Sequence, residues 1–575
     1  MAPVNENQFR VLVVCAVALA GLIAYSNTWG SEFVWDDASS ILLHEHVKDP
    51  SKFLQLFAED QHAFGRGQGN FYRPLVAASF MVDYALSRPP GSEPVGPAGV
   101  PQPSPFLFHV TNLAWHVLCS LMFFALLTRL DAPRFVRIAA PLIYVVHPLN
   151  TEAVTYISGR ADPMSGAFVF ASLFFAIADG DVAKRRNGTI ASAACFALGM
   201  LCKESTLIVP FLHLFIIFAG RRMRASADAA PLYNPPYAAL AASGVLLGVY
   251  AVLRMTALRF APPQTAGTET GLATRIVEAM QSFALYIKLL FVPTGLHMER
   301  TLDGVPTWIG LVGFGLLVLC VATAVVAFRK GHHRIAMAAG LFLITWFPIS
   351  GLIPLNAPMA EHWLYVPMAG FWWGLFELVW TAVGPSRTRY ALYTLVYAAC
   401  AVFVALTVQR NIDWRNNEAL YSATLEKSPH SVRVRYNLAV TYEDLLGNLP
   451  AARREYEKVL DHYKKKKEAQ QSDAEHEQFW QDEIESHLSL GGIFLREEQY
   501  DKAAAHYTTL LRLELNDDNA PVIAASLIGM AQAMTNTGRS ADAEKLLDEG
   551  IQRIPQLKDQ LEEAKQRILG VGLTG

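Results

Sequence analysis

Long apolar runs separated by short polar or basic intervals recur from Phe9 to Val408, after which the pattern changes to mixed, charged helical segments. A helix needs roughly 20 predominantly apolar residues to cross a bilayer. On that basis spans are predicted at 9–28, 108–128, 134–147, 162–179, 189–202, 204–219, 236–256, 307–328, 335–353, 363–383 and 390–408, about eleven in all. The first run exceeds the roughly 7–15 residues of a signal-peptide core and lacks a small-residue cleavage site, so it reads as a retained anchor.

Orientation follows from the basic residues, which favour the cytoplasmic ends of spans. Arg129, Arg134 and Arg137 share one loop, and Lys184, Arg185 and Arg186 another. Arg221, Arg222 and Arg224 form a third cluster, Arg329, Lys330 and Arg334 a fourth, and Arg387 with Arg389 a fifth. A cytoplasmic N-terminus with these spans puts every cluster on the cytoplasmic side. Residues 275–292 are apolar enough to span, but Glu278 and Lys288 interrupt them, and counting them would move the Arg329 cluster outside. They read as an interfacial helix. Loop 29–107, residues 147–160, 257–306 and 354–362 and the whole C-terminal tail then lie outside.

The tail carries a repeat. A small residue is followed 12 or 13 positions later by alanine in Ala439/Ala452, Gly491/Ala503 and Ala531/Ala543. Large residues sit at fixed offsets from these, at Tyr442, Phe494 and Met534 and at Tyr456, Tyr507 and Leu547. Small residues let two antiparallel helices approach, and the large ones fill the seam. This is the tetratricopeptide pattern, whose stacked pairs form a solenoid that binds extended peptides. A generic helical bundle is the plainer alternative.

The composition agrees with a membrane protein: 52% of the 575 residues are hydrophobic and 17% are charged, against about 25% charged in soluble domains. A net charge of −3 points away from nucleic acid. The six cysteines all fall in apolar segments and read as small buried hydrophobes.

Ionisable residues converge on the outside. Asp36 and Asp37, in Phe33-Val34-Trp35-Asp36-Asp37, are either a solvated pair capping a loop or a general base with a supporting carboxylate. Arg73, in Tyr72-Arg73-Pro74-Leu75, either snorkels to headgroups or clamps a phosphate. His147-Pro148-Leu149-Asn150-Thr151-Glu152 opens the next outside loop, and Gly159-Arg160-Ala161-Asp162 closes it, with an Arg160–Asp162 pair as the structural alternative. Lys203 and Glu204 separate two short spans, and Glu361 and His362 start a later one. Each admits a capping or packing role; charged groups at this depth face a cavity when they are functional.

The ordered set FVWDD, YRPL, HPLNTEA with GRAD, KE, and EHWLY before the last span and repeats resembles the transmembrane and tetratricopeptide repeat-containing O-mannosyltransferases and their prokaryotic relatives, within the GT-C class. The resemblance covers nearly the whole chain. It implies an all-α fold, a polytopic GT-C-like bundle over 1–408 followed by a tetratricopeptide solenoid over 409–575. It also implies inverting transfer of mannose or another hexose from a polyprenyl-phosphate donor to Ser or Thr of an extracytoplasmic polypeptide held by the repeats. The family's acidic motif maps onto both aspartates; Asp37 is favoured as base, with Asp36 supporting. Arg73, Arg160, Lys203 and His362 are expected to bind donor phosphate or sugar, with His147, Glu152, Asp162, Glu204 and Glu361 supporting. No cofactor is expected, since cations serve the leaving group, although the paired carboxylates are where a divalent metal would sit. The sole Asn-X-Ser/Thr sequon, Asn187-Gly188-Thr189, falls on the cytoplasmic side, which favours a prokaryotic inner membrane over the ER. A transferase acting on a glycolipid or envelope polysaccharide and a non-catalytic repeat-bearing scaffold are the competing readings.

Overall fold

The computed structural model describes residues 5–64, 70–87, 102–177, 181–223, 236–258, 271–384, 388–470 and 480–570. Arg224, Arg387 and parts of the 29–107 and 257–306 loops lie outside them. Among the described residues the chain is helical and contains no strand beyond an isolated bridge between Arg300 and Met359. It divides into two units, residues 1–420 and 421–575.

In the first unit the main helices are α1 (Glu6–Tyr25), α2 (Pro74–Ser87), α3 (Pro105–Arg129), α4 (Arg134–Val146), α5 (Ala161–Ala176), α6 (Val182–Met200) and α7 (Val209–Met223). They continue with α8 (Tyr237–Met255), α9 (Leu272–Phe291), α10 (Trp308–Arg329), α11 (His333–Trp346), α12 (Tyr365–Val383) and α13 (Thr388–Asp413). α1 starts at a reciprocal cap, in which the Asn5 side chain accepts from Gln8 N at 2.8 Å and the Gln8 side chain accepts from Asn5 N at 3.1 Å.

Among the described residues six helical stretches are long and apolar enough to cross a membrane: 6–28, α3, α8, α10, 361–383 and α13. Their outward faces are apolar, as at Leu311, Phe314 and Leu319 of α10 and Val245, Val249 and Val252 of α8. So large an exposed apolar surface requires a lipid or protein cover. The remaining expected spans are shorter, and α4 and α5 sit almost wholly inside the bundle. A helix wrapped by other helices need not match the lipid thickness by itself.

The basic residues gather at one end of the unit. Arg134 and Arg137 bind Glu6 at 3.3 and 2.6 Å, and Phe135 stacks on Trp380. The Arg389 guanidinium lies over Trp380, and Arg334 pairs with Glu377 at 3.1 Å. The carboxylate loops occupy the opposite end. The Arg275 guanidinium donates to the Leu352 carbonyl at 3.3 Å near the start of α9, and His147 Nε2 bonds the Leu290 carbonyl at 3.0 Å near its finish. Between them Gln281 donates to the carbonyls of Val305 and Pro306, just ahead of α10. α9 thus touches the 147, 305–306 and 352 segments along its length, while its middle packs closely on α10, where a side-chain carbon at Gly313 would meet the Met280 carbonyl.

The second unit stacks antiparallel pairs: α14 (Asn417–Lys427) leads into it, followed by α15 (Val432–Val440), α16 (Leu449–Gln470), α17 (Gln481–Arg496), α18 (Tyr500–Leu510), α19 (Ala520–Asn536), α20 (Ser540–Arg553) and α21 (Lys558–Leu569). Ala439, Ala452, Ala503, Ala531 and Ala543 are fully buried, with Tyr456, Phe494, Tyr507 and Leu547 filling the seams. At Gly491 a side-chain carbon would lie 2.6 Å from the Tyr507 ring, so only glycine fits. The unit is the tetratricopeptide solenoid that the spacing predicts.

Candidate functional site: a carboxylate turn and a phosphate-sized cationic corner

The turn after α1 is held in an unusual shape. Trp35 has φ of 51°, in the left-handed region that costs a non-glycine residue energy. Its N–H donates to Asn417 Oδ1 at 2.9 Å, and the Glu32 N–H donates to the Arg415 carbonyl at 2.8 Å. The Trp35 ring stacks on Tyr156, which stacks on Trp414, with centroids 5.5 and 5.4 Å apart. The C-terminal end of the first unit thus fixes a turn some way along the chain from its start.

The two aspartates of that turn differ sharply. Asp37 is fully buried. Its Oδ1 accepts from Ser158 N at 2.8 Å and Ser158 Oγ at 2.6 Å, and its Oδ2 accepts from Val34 N at 2.9 Å. Burial pushes the Asp37 carboxyl up to about 7, against the pull of the Ser158 and Val34 hydrogen bonds. Asp36 is half-buried. It lies within electrostatic reach of His62, whose Nδ1 meets Ser39 Oγ at 2.9 Å and Ser40 Oγ at 3.2 Å. Burial holds His62 below its ordinary value, with Asp36 pulling up and Arg73 pushing down. His62 therefore stands between the carboxylate turn and the arginine.

Arg73 reaches Glu204 at 3.3 Å and lies over the Phe71 ring at 4.6 Å. Glu204 also marks the mouth of an apolar groove of about 900 Å³ between α7 and α11, lined by Leu207, Phe211, Phe215, Ile344 and Phe347 among others. Arg254, at the end of α8, donates to Asn70 Oδ1 at 2.5 Å and so braces the segment leading to Arg73.

The other expected donor ligands are placed otherwise. Arg160 is fully buried, with its guanidinium paired to Asp83 at 2.6 Å and donating to Asn112 Oδ1, Ser79 Oγ and the Phe108 carbonyl. With every arm engaged and the Phe80 ring 4.6 Å away, it locks α2 to α3 and is not placed to meet a donor phosphate. The anticipated Arg160–Asp162 pair is replaced by Arg160–Asp83 and Lys203–Asp162, the latter at 2.6 Å. His147 caps its own loop by accepting from Leu149 N and, through Leu290, anchors α9.

Glu152, Glu361 and His362 form a separate cluster. His362 Nδ1 meets Glu152 Oε1 at 2.8 Å, while Glu361 takes Arg300 Nε at 2.8 Å and the His297 N–H at 2.7 Å, with Arg410 at 3.7 Å. Burial pushes the Glu152 carboxyl up, but His362 and Arg410 outweigh it, and it ends below its ordinary value. The segment 147–160 joins this cluster to the turn, with Thr155 Oγ1 donating to Asn411 Oδ1 at 2.7 Å and Ser158 held on Asp37. At Gly159 a side chain would collide with the Glu152 carbonyl, so glycine lets that loop fold back. Among the described residues no group of three or more His, Cys, Asp or Glu is arranged to hold a metal ion.

His62, Asp60, Arg254, Arg300, Arg410, Trp414 and Asn417 were not marked by the motifs. The His and aromatic residues around 44–72 are the signal that could have pointed to His62.

The chain is an all-helical, membrane-type domain with a buried carboxylate turn and an apolar groove, followed by tetratricopeptide repeats. No family model and no solved structure matches the chain. Among curated proteins it is 23% identical over 440 residues to a protein O-mannosyl-transferase of Caenorhabditis elegans, covering 74% of this chain and 59% of the relative. It is 24% identical over 509 residues to human protein O-mannosyl-transferase TMTC4, covering 77% and 65%. It is 21% identical over 618 residues to human protein O-mannosyl-transferase TMTC3, covering 97% and 62%. The resemblance to the transmembrane and tetratricopeptide repeat-containing O-mannosyltransferases thus extends over most of the chain, which itself spans about three fifths of these relatives' length.

Proposed function

We propose that this protein transfers a hexose, mannose first among them, from a polyprenyl-phosphate donor to Ser or Thr hydroxyls of a polypeptide carried by its repeats. The prenyl chain lies in the groove between α7 and α11, and its phosphate meets Arg73 at the groove mouth. The acceptor oxygen attacks the anomeric carbon while its proton passes to an aspartate. The bond from that carbon to the phosphate oxygen breaks, and prenyl phosphate leaves with the electron pair on the face opposite the attack. The sugar is therefore inverted.

The base in this reading is Asp36, with Asp37 as the residue that shapes the turn. A base must first reach the proton; the match of its pKa comes second. Asp37 has a raised carboxyl suited to proton transfer, but it is closed off and already accepts three hydrogen bonds. Asp36 is the more accessible carboxyl. The observation that supports the proposal is that His62 meets the Ser39 and Ser40 hydroxyls just after Asp36 and packs against the Phe71 ring over which Arg73 lies, so a carboxylate and a cation share one neighbourhood. The test is to give purified full-length protein in lipid bilayers polyprenyl-phosphate mannose and a Ser/Thr-rich peptide. A hexose mass on a peptide hydroxyl, matched by donor loss, is expected; neither appearing would overturn the proposal.

A further inference from the structure

Three polar atoms at the groove mouth are buried without a hydrogen-bond partner: Arg73 Nε, Glu204 Oε1 and the Tyr250 hydroxyl. Buried polar groups are almost always satisfied, so a group of such exceptions in one place calls for an explanation. Tyr250 is 8% exposed and its ring lies 6.3 Å from that of Tyr72, next to Arg73 in the chain. Arg254, one helical turn beyond Tyr250, is fastened to Asn70. Arg73 pairs with Glu204 at 3.3 Å, Tyr250 packs on Tyr72 and Arg254 holds Asn70, so the four side chains gather around the 70–73 segment.

The corner has the chemistry of an anion seat. Two guanidinium groups and a phenol supply N–H and O–H donors, and the carboxylate of Glu204 stands among them. A phosphomonoester has more acceptor oxygens and more charge than a carboxylate, and bidentate arginine recognition favours it. The side chain of Glu204 is 36% exposed, so it can swing out. The groove beginning at the same residue is wholly apolar beyond Ser205 and suits a hydrocarbon chain.

Resting on the lipid-phosphate reading above, we propose that Arg73, Tyr250 and Arg254 form the seat for the phosphate of a prenyl-chain lipid, and that Glu204 fills this seat in its absence. The phosphate then displaces Glu204, which turns outward, and binding energy is spent on that displacement. Glu204 thus competes with the ligand, and removing its charge tightens binding. This sign is opposite to that of a residue that merely supports the fold.

The experiment measures binding of polyprenyl monophosphate, which carries no sugar, to the full-length protein in phosphatidylcholine nanodiscs. The arms are wild type, Glu204→Gln, Tyr250→Phe and Ile344→Trp, with inorganic phosphate as competitor. Glu204→Gln is expected to bind about tenfold more tightly, a factor that a change of one charge contact readily supplies. Tyr250→Phe is expected to bind roughly fivefold more weakly through the lost hydroxyl. Ile344→Trp should weaken binding by filling the groove, and inorganic phosphate at millimolar levels should not displace the lipid. Glu204→Gln binding no tighter than wild type, or inorganic phosphate competing on equal terms, would overturn the assignment. Misfolding cannot mimic a gain of affinity. No binding by wild type would instead defeat the lipid-phosphate reading itself, separately from the role of Glu204.

Discussion

Replacing Asp37 with asparagine separates its structural role from any catalytic one. The substitution keeps one oxygen, which can still accept from Ser158 N and Oγ, but it turns the second oxygen into an amide that faces the Val34 N–H. Both Val34 and Asp37 are buried, so a donor is left facing a donor with no water to relieve it. A buried group losing its partner costs about 1–3 kcal/mol. Alanine, which abandons the backbone N–H of both Val34 and Ser158, should cost about twice that. The pH dependence carries a second signature. Because burial raises the native carboxyl from 3.8 to about 7, the folded protein binds more protons than the unfolded chain between those values. The contribution of Asp37 is thus most favourable below about 4 and is lost as pH rises through 7. Asp37→Asn should remove that slope, leaving stability flatter between pH 5 and 8 (roughly, from the same linkage). The assay is thermal unfolding of detergent-solubilised protein followed by tryptophan fluorescence, across pH. A lower midpoint at acidic pH with a flattened profile is expected; an unchanged midpoint and slope would refute the reasoning.

Three further outcomes follow from the same packing. Arg160→Met alone strands Asp83 in the interior and should destabilise the protein by about 3–5 kcal/mol, whereas the Arg160→Met, Asp83→Leu pair should recover much of that, as judged by unfolding midpoints. Asn417→Ala removes the acceptor that holds the Trp35 N–H and should cut turnover about tenfold, while Asn417→Asp, which keeps an acceptor, should largely restore it in the same transfer assay. Gly491→Val drives a side chain into the Tyr507 ring and should expose the repeat unit to limited proteolysis while leaving donor-lipid binding intact.

The apolar helices and the repeat helices were legible because they rest on local rules. Apolar length, the clustering of arginine at one end, and small residues at fixed offsets are properties of short stretches. For residues 275–292 the place of the Arg329 cluster, Glu278 and Lys288 all argue against a traverse, and Arg275, Gln281 and Leu290 contact loop segments. The site was legible only in outline. Asp36 and Asp37 are neighbours in the chain with the same side chain, and only the fold reveals that Ser158 closes over one and leaves the other more open. Arg160 resembles a ligand for phosphate in the sequence because its partner, Asp83, lies in α2, outside every predicted span. Arg254 sits at the end of an ordinary span and becomes significant only through Asn70. Pairings of this kind depend on long-range packing, which a single sequence does not display.

In the proposed reaction Asp36 takes the acceptor proton in a prenyl-phosphate-dependent sugar transfer. Its most direct test compares wild type and Asp36→Asn for hexose transfer to peptide, with unfolding midpoints measured alongside. Turnover lower by about 10²–10⁴-fold, the usual contribution of a general base, with an unchanged midpoint, is expected. Transfer by Asp36→Asn at the wild-type rate would contradict it.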